Sequence, residues 1–158
     1  MKKINVNDGK IVAVNRRAHY NFHIEDTFEA GLVLLGSEVK SLRMGQGNIR
    51  EAYASEQGGE LWLRNSHIAE YISANLFNHQ PTRPRKLLLK KKELNKLLGK
   101  IRRERITVIP LKLYFNSRGV AKIEIGLARG KKLYDKRQDI KSRDWQRSQA
   151  RIIRSKNY

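Results

Sequence analysis

The stretch FEAGLVLLGSEVKSLRMGQGNIR, Phe28–Arg50, contains the clearest structural signal in the chain. Its uncharged apolar run, Ala30–Leu35, has a length that suits a buried β-strand better than a helix. Gly36 interrupts this run, and Gly45 and Gly47 stand where a short helix would end. The stretch therefore predicts a buried strand that leads into a short helix, which closes one end of a hydrophobic core.

The predicted helix has an N-terminal signal and two faces. Ser37 is expected to act as the N-cap, because its hydroxyl can accept from a free backbone N–H of the first turn. Glu38 would lie in that turn, where the helix dipole favours an acid. Val39 and Leu42 would share the inward face, with Lys40 outside. Most of these residues could serve only to connect the strand to the helix, so the cations are the functional candidates of the helix.

Length and composition indicate one domain and exclude several classes. The chain has 158 residues, of which 39% are hydrophobic, enough for one modest core. No apolar run approaches the roughly 20 residues that span a bilayer, and Met1–Lys10 lacks the apolar stretch of a signal peptide. The absence of cysteine excludes disulfides and thiolate metal sites. We therefore expect a cytoplasmic protein.

Charge is the strongest compositional signal. Lys and Arg total 34 against 15 acids, a formal net charge of +19. Two segments, Arg83–Arg105 at +9 and Lys131–Tyr158 at +7, carry most of this excess. A charge this large favours a polyanionic partner, nucleic acid above all. An anionic membrane surface is the weaker alternative, because no segment pairs a wide apolar face with a basic one.

Alternation and turn residues predict several short strands. The region Ile11–Ile24 is interpreted as one strand with a polar interruption at Asn15–Arg17. The pair Gly58-Gly59 indicates a first hairpin. The turn Asn116–Gly119 separates the two strands of a second hairpin, in which Pro110 indicates an edge position or a bulge.

One internal segment has helical periodicity. Its apolar stripe recurs at i, i+3, i+4 and i+7 through Leu94, Leu97, Leu98 and Ile101. Five or six short strands with one or two helices predict a mainly β fold with flanking helices, a small antiparallel OB-type β-barrel over residues 1–133. OB-type barrels are frequent nucleic-acid binders, although that step is an analogy between folds.

Residues 134–158 are predicted to form a separate basic tail. The tail has too few large apolar side chains to offset the entropy lost on ordering. Helical spacing nevertheless places four arginines on one stripe and three large apolar side chains away from it. We expect a tail that is disordered when free and helical on RNA; a merely solvated basic segment is the alternative. The arginines are Arg143, Arg147, Arg151 and Arg154, and the apolar residues are Trp145, Ile152 and Ile153.

The residues give no sign of catalysis. His19 and His23 would lie about 13 Å apart on a strand, too far for one metal ion. The chain contains no Gly-rich phosphate loop, no His/Asp/Ser constellation and no metal-ligand cluster. We therefore expect no enzyme, no cofactor and no metal, and a generic single-strand RNA binder is the rival to a specific one.

Four stretches resemble the SmpB family, the SsrA-binding proteins of bacteria. They are NRRAHYNF (Asn15–Phe22), FEAGLVLLGSEVKSLR (Phe28–Arg43), RPRKLLL (Arg83–Leu89) and ARGKKLYDKR (Ala128–Arg137). The resemblance runs from about Val12 to the C-terminus. The family's usual Gly-Thr-Glu is Gly-Ser-Glu here, which keeps the hydroxyl. An aromatic residue that is often Tyr is Phe here, which loses a hydrogen bond from that ring.

The resemblance implies a fold, partners and a role. It implies an OB-type barrel that binds the tRNA-like domain of tmRNA and enters ribosomes stalled on mRNA without a stop codon. There the protein would stand where a tRNA anticodon arm stands, with the tail in the vacant mRNA path near the small-subunit decoding region. An elongation factor and alanylated tmRNA would complete the delivery complex. The protein would act as a monomer, without a membrane.

Motif positions imply which residues serve each partner. The tmRNA-binding face would include Asn15, Phe22, Glu29 and Leu88, and function on the ribosome would involve Lys131, Lys132, Asp135, Lys136 and Arg137. Physical chemistry adds Arg16, Arg17 and Lys40 as phosphate contacts. An aromatic ring such as Phe22 can stack on an unpaired base, and an amide can bond a base edge or a 2′-hydroxyl. Glu29 repels phosphate, so it is expected to accept from a base amino group or to orient an arginine.

Overall fold

The computed structural model describes residues 9–74 and 77–156, with nine strands and four helices in these ranges. In chain order they are β1 (Ile11–Val14), α1 (Ala18–Asn21), β2 (Phe22–Leu32), α2 (Gly36–Arg43), β3 (Gly47–Asn48), β4 (Tyr53–Gln57), β5 (Glu60–Arg64), β6 (His67–Ile68), β7 (Arg85–Leu88), α3 (Lys91–Glu104), β8 (Thr107–Phe115), β9 (Ala121–Gly130) and α4 (Leu133–Lys156). None of the helices in these ranges is long and apolar enough to cross a membrane.

Six strands close into an antiparallel barrel. The order is β8-β4-β5-β7-β2-β9, and β9 pairs back with β8 to complete the ring. Strand β1 adds to β8, and β3 and β6 form a separate two-stranded ribbon. Closure leaves the ring strands without a free edge. The predicted mainly β fold with flanking helices is therefore confirmed.

Both predicted hairpins are present. In the first, Gln57 pairs with Glu60 across a two-residue turn. Gly58 and Gly59 have φ angles of 62° and 74° in this turn, the left-handed conformation that glycine adopts at no steric cost. In the second, the register between β8 and β9 shifts after Pro110, because proline cannot donate to the ladder. The bulge expected from this proline is therefore confirmed.

The strand-to-helix stretch is partly as predicted. Strand β2 ends at Leu32, and the apolar run beyond it is only half-buried or exposed. The N-cap of α2 is Leu35, so the prediction that Ser37 caps the helix was wrong. The carboxylate of Glu38 accepts from the Leu35 backbone N–H at 2.8 Å and takes the capping role. Ser37 instead contacts His79, with Oγ 2.9 Å from Nδ1.

The N-terminal region is two strands rather than one. Strand β1 pairs with β8, whereas β2 pairs with β7 and β9 on another side of the barrel. Between them the chain turns, and α1 forms a single helical turn whose Ala18 is 1% exposed. The prediction of one interrupted strand was wrong because burial of Ala18 against Ile109 and Leu111, far along the chain, decides this turn.

The remaining helices follow their sequence patterns. Helix α3 buries Leu97 and Leu98 from the predicted stripe. Helix α4 contains the predicted cationic stripe, and its side chains from Lys141 to Ser155 are all exposed. The helical spacing of the tail is thus confirmed. Its disorder in the free protein and the domain division after residue 133 stay predictions.

Candidate RNA-binding surface

One pocket lies beside α1, and we call it the α1 pocket. It is lined by three residues predicted from sequence, Asn15, Arg17 and Phe22, and by Arg50 and Tyr53 from the segment after β3. Two aromatic rings and two guanidinium groups thus line one concave site. Such a combination can stack an unpaired base and bind the adjoining phosphate.

Asn15 contributes a fixed hydrogen-bond acceptor to this pocket. The residue is 7% exposed, and its backbone N–H donates to Leu111 O at 2.8 Å. Its side-chain Nδ2 donates to Pro110 O at 3.2 Å. Among the described residues Oδ1 has no hydrogen-bond partner. Because an unpaired buried acceptor is costly, a small shift of this almost fully buried oxygen towards an N–H or O–H group of a ligand would be favourable.

Sequence reasoning missed Arg50 and Tyr53. Their segment is held in place by the neighbouring Ile49 and Ala52, which are 2% and 5% exposed. The Arg50 backbone N–H also donates to Asn48 Oδ1 at 2.9 Å. The available signal in NIREAY was the pair of apolar residues Ile49 and Ala52 among polar ones, which indicates that the polar side chains between them face outwards. One arginine among 34 basic residues could not be singled out without knowing its neighbours.

A second pocket, which we call the β2 pocket, unites Glu29 and Leu88. The register of β2 with β7 pairs Gly31 with Leu88, whose side chain is 50% exposed. Lysines from three other parts of the chain complete the lining: Lys90, Lys96 and Lys122. The pocket therefore combines three lysines and an apolar surface with three carboxylates, those of Asp26, Glu29 and Glu93.

Glu29 has a partner that the sequence did not indicate. The buried hydroxyl of Tyr114 donates to Glu29 Oε2, so among the described residues this carboxylate holds a tyrosine hydroxyl. Burial, together with Glu29, raises the pKa of Tyr114 well above its ordinary value. The phenol therefore remains a donor and holds the carboxylate at the edge of the β2 pocket.

Two predicted phosphate contacts lie outside both pockets. Arg16 lines a groove along β1. Arg17 and Arg50 line both this groove and the α1 pocket. Lys40 lies on α2, with Nζ 5.6 Å from the centroid of the Tyr71 ring. The structure thus groups Arg16 with the α1 side and leaves Lys40 apart.

Much of the charge in Arg83–Arg105 is already compensated within the protein. Lys96 lies 3.4 Å and Lys100 3.5 Å from Asp26 Oδ2, and Arg102 pairs with Glu56. The guanidinium of Arg85 is fully buried and cannot meet RNA. The net charge of +9 therefore overstates what this segment presents to a polyanion.

Glu38 joins α2 to the segment before β7. Its buried carboxylate accepts from Arg85 Nε at 2.8 Å and from Arg83 Nη2 at 2.7 Å. Arg85 also donates to both oxygens of Ser66 at 2.9 Å. Burial alone would raise the pKa of Glu38, but hydrogen bonds from Arg83 and Leu35 and the charge of Arg85 hold it below its ordinary value. This network positions β7, which carries Leu88.

The predicted tail residues divide into two sets. Lys131, Asp135 and Lys136 are half-buried near α1, whereas Lys132 and Arg137 are exposed. The remaining tail residues are exposed on α4: Arg143, Trp145, Arg147, Arg151, Ile152 and Arg154. Among the described residues, no group of three His, Cys, Asp or Glu side chains is arranged to hold a metal ion.

Comparisons with known proteins agree on one family. A sequence model of the family described as "SmpB protein" matches residues 12–155. The SsrA-binding protein of Afipia carboxidovorans is 56% identical over 147 residues, which cover 93% of this chain and 94% of that protein. The SsrA-binding protein of Agrobacterium fabrum is 58% identical, with 92% of this chain and 91% of that protein covered.

One solved structure is similar to this chain in both fold and sequence. It is described as "tmRNA-SmpB: a journey to the center of the bacterial ribosome". One chain of it matches with a TM-score of 0.64 and 48% identity, over 80% of this chain and 86% of that one.

Proposed function

Because the chain belongs to the SmpB family of SsrA-binding proteins, we propose that it binds the tRNA-like domain of tmRNA for trans-translation. It delivers this RNA to ribosomes stalled on mRNA without a stop codon. The observation that carries the proposal is the α1 pocket, where an oriented acceptor, aromatic rings and arginines converge. These groups match the base edges, base faces and phosphates of unpaired RNA.

The two pockets make different kinds of contact with RNA. In the α1 pocket, Phe22 and Tyr53 offer ring faces, and stacking on one base contributes about 1–3 kcal/mol. In the β2 pocket, Glu29 accepts from a base amino group while the neighbouring lysines bind phosphates. Carboxylates among the lysines of this pocket favour folded RNA that presents a hydrogen-bond donor there, and they disfavour a continuous run of phosphates.

The tail binds the ribosome. Exposed arginines on α4 suit the phosphates of the vacant mRNA path and the decoding region, and Trp145 and Ile152 add apolar contacts. The family implies an elongation factor and alanylated tmRNA in the delivery complex. We further propose that the protein acts as a monomer in the cytoplasm and binds RNA without catalysing a reaction.

Competition between two RNAs tests the proposed function. The tRNA-like domain of tmRNA should displace labelled tmRNA at far lower concentration than poly-U, because only folded RNA presents base donors and phosphates in the right places. Equal displacement by poly-U would show a generic single-strand binder. Recovery of intact RNA after incubation with Mg²⁺ checks that no strand is cleaved.

Asn15→Ala and Glu29→Ala are each expected to weaken tmRNA binding without unfolding the barrel. Both remove a hydrogen-bond acceptor, and neither side chain belongs to the described hydrophobic clusters. Glu29→Ala also leaves the buried Tyr114 hydroxyl without its acceptor. Asn15→Ala also removes the bond to Pro110 O, worth about 1 kcal/mol, so urea unfolding is measured on the same samples. Wild-type affinity in both variants would contradict the assignment of the two pockets.

Arg50→Ala is expected to lower tmRNA affinity about tenfold, since hydrogen bonds to charged groups contribute about 1.5–3 kcal/mol before screening. The loss should shrink at high salt. Arg118→Ala removes the same charge from the exposed turn between β8 and β9 and is the matched control. An equal change in both variants would show that only net charge matters and that the α1 pocket has no special role for Arg50.

A further inference from the structure

Lys131, two residues before the start of α4, connects this helix to α1. Its backbone N–H donates to Asn21 O at 2.9 Å, and its Nζ donates to His19 O at 2.7 Å. The same ammonium pairs with Asp139, two turns further along the helix. Only 8% of the Lys131 side chain is exposed. Lys131 also holds the pKa of the Asp139 carboxyl below its ordinary value.

Three more side chains of α4 contact the same short segment. Asp135 Oδ2 lies 3.7 Å from His23 Nε2. The Lys136 Nζ and the Arg143 Cζ each lie 5.9 Å from the centroid of the Tyr20 ring, within range of a cation–π contact. Five charged residues at or just before the base of α4 thus face α1 and the start of β2. They are the acids Asp135 and Asp139 and the cations Lys131, Lys136 and Arg143.

The rest of the helix has no comparable support. Every side chain from Lys141 to Ser155 is exposed, and no residue of α4 belongs to the described core. From Arg143 to Ser155 the axis extends about 18 Å at 1.5 Å per residue. A small change of angle at the base of α4 therefore moves its tip by a large distance.

We propose that Lys131 and Asp139 are positioning residues that fix the direction of α4 relative to the α1 pocket. This inference rests on the proposed function, in which the pocket binds tmRNA and α4 enters the ribosome. The ion pair sets the angle between the two binding surfaces, so that both engage at once. Asp135 and Lys136 support the same contact with α1, which leaves the exposed Lys132 and Arg137 to meet ribosomal RNA directly.

Two asparagine variants separate positioning from charge. Asp139→Asn removes the partner of Lys131, and Asp144→Asn removes an equal charge from an exposed position on the same helix. Each variant raises the net charge by one, which favours RNA binding in general. A loss confined to Asp139→Asn therefore cannot arise from net charge. Asp139→Glu keeps the carboxylate and is the conservative rescue.

The absence of cysteine allows the angle to be measured directly. Spin labels at Ser117→Cys, in the turn between β8 and β9, and at Gln149→Cys, on α4, report the distance between barrel and helix. In contrast to the tail disorder predicted from the sequence, we expect one narrow distance distribution in the wild-type background, in Asp139→Glu and in Asp144→Asn, and a broad one in Asp139→Asn. Peptide tagging on stalled ribosomes should fall about tenfold only in Asp139→Asn, with tmRNA affinity unchanged within twofold.

The results also separate this inference from the proposed function. A narrow distribution in Asp139→Asn, or a broad one in the wild-type background, would overturn the positioning role whatever the tagging rate. Equal effects of Asp139→Asn and Asp144→Asn would overturn it as well. Failure of the wild-type protein to bind tmRNA would instead contradict the proposed function and leave the distance measurement intact.

Discussion

Deletion of residues 135–158 is expected to abolish peptide tagging on stalled ribosomes while the barrel stays folded and keeps most of its tmRNA affinity. The two described clusters of core residues draw only on segments that precede α4. Neither pocket is lined by a residue of α4. The deletion therefore removes the ribosome-directed cations except Lys131 and Lys132, without removing the core or the tmRNA-binding surface.

The decisive comparison measures tmRNA affinity, unfolding and tagging on the one truncated protein. A full-length chain in which residues 144–156 are scrambled is the control, because it keeps the length and charge of the tail but destroys the arginine stripe. Normal tagging by the truncated protein would show that the tail is only a solvated basic segment. A parallel collapse of tmRNA binding would show that the tail belongs to the tmRNA-binding surface.

Glu38→Gln is expected to lower the free energy of unfolding by about 3–5 kcal/mol, the range for removing one partner of a buried ion pair. The substitution keeps the shape of the side chain but leaves the fully buried guanidinium of Arg85 without its counter-charge. It also weakens the cap that Glu38 provides at the start of α2. Urea unfolding measures the loss, and Glu70→Gln, at an exposed acid, is the control.

The pH dependence of stability gives a second measurement on the same variant. The folded-state pKa of Glu38 lies below the value of 4.5 that the group has when unperturbed. Its contribution to stability is thus fully present above that value and is lost as pH falls through the folded-state pKa. The acid-side loss of stability should be shallower in Glu38→Gln than in the wild type. Superimposable pH curves would show that Glu38 is not the titrating group.

Sequence patterns between near neighbours were sufficient to predict much of the fold. The two-residue turn at Gly58-Gly59, the β8–β9 hairpin with its bulge at Pro110, and the apolar stripe of α3 were all predicted correctly. Turn geometry and the periods of strand and helix are set within a few residues, so a single sequence displays them. Four motifs in one order also indicated the family.

The function of individual polar residues depended on distant partners. Ser37 looked like a helix cap but contacts His79, and Glu38 looked like a dipole partner but neutralises Arg85, 47 positions away. Within Arg83–Arg105, composition could not distinguish the buried Arg85 from cations free to bind RNA. The charge of a side chain follows from its residue type, whereas its burial and its counter-ion depend on residues far away in the sequence.

The sequence by itself determined the barrel's hairpins, the amphipathic helix, the excess of positive charge and the family resemblance, because each is carried by residue types at short spacing. Only the tertiary structure decided how Asn15 is oriented, that Arg50 joins the α1 pocket, and that Lys131 reaches the carbonyl of His19, 112 positions earlier. Closure of the barrel brings these residues together. Contacts across such separations follow from the packing of the whole chain, which no local pattern records.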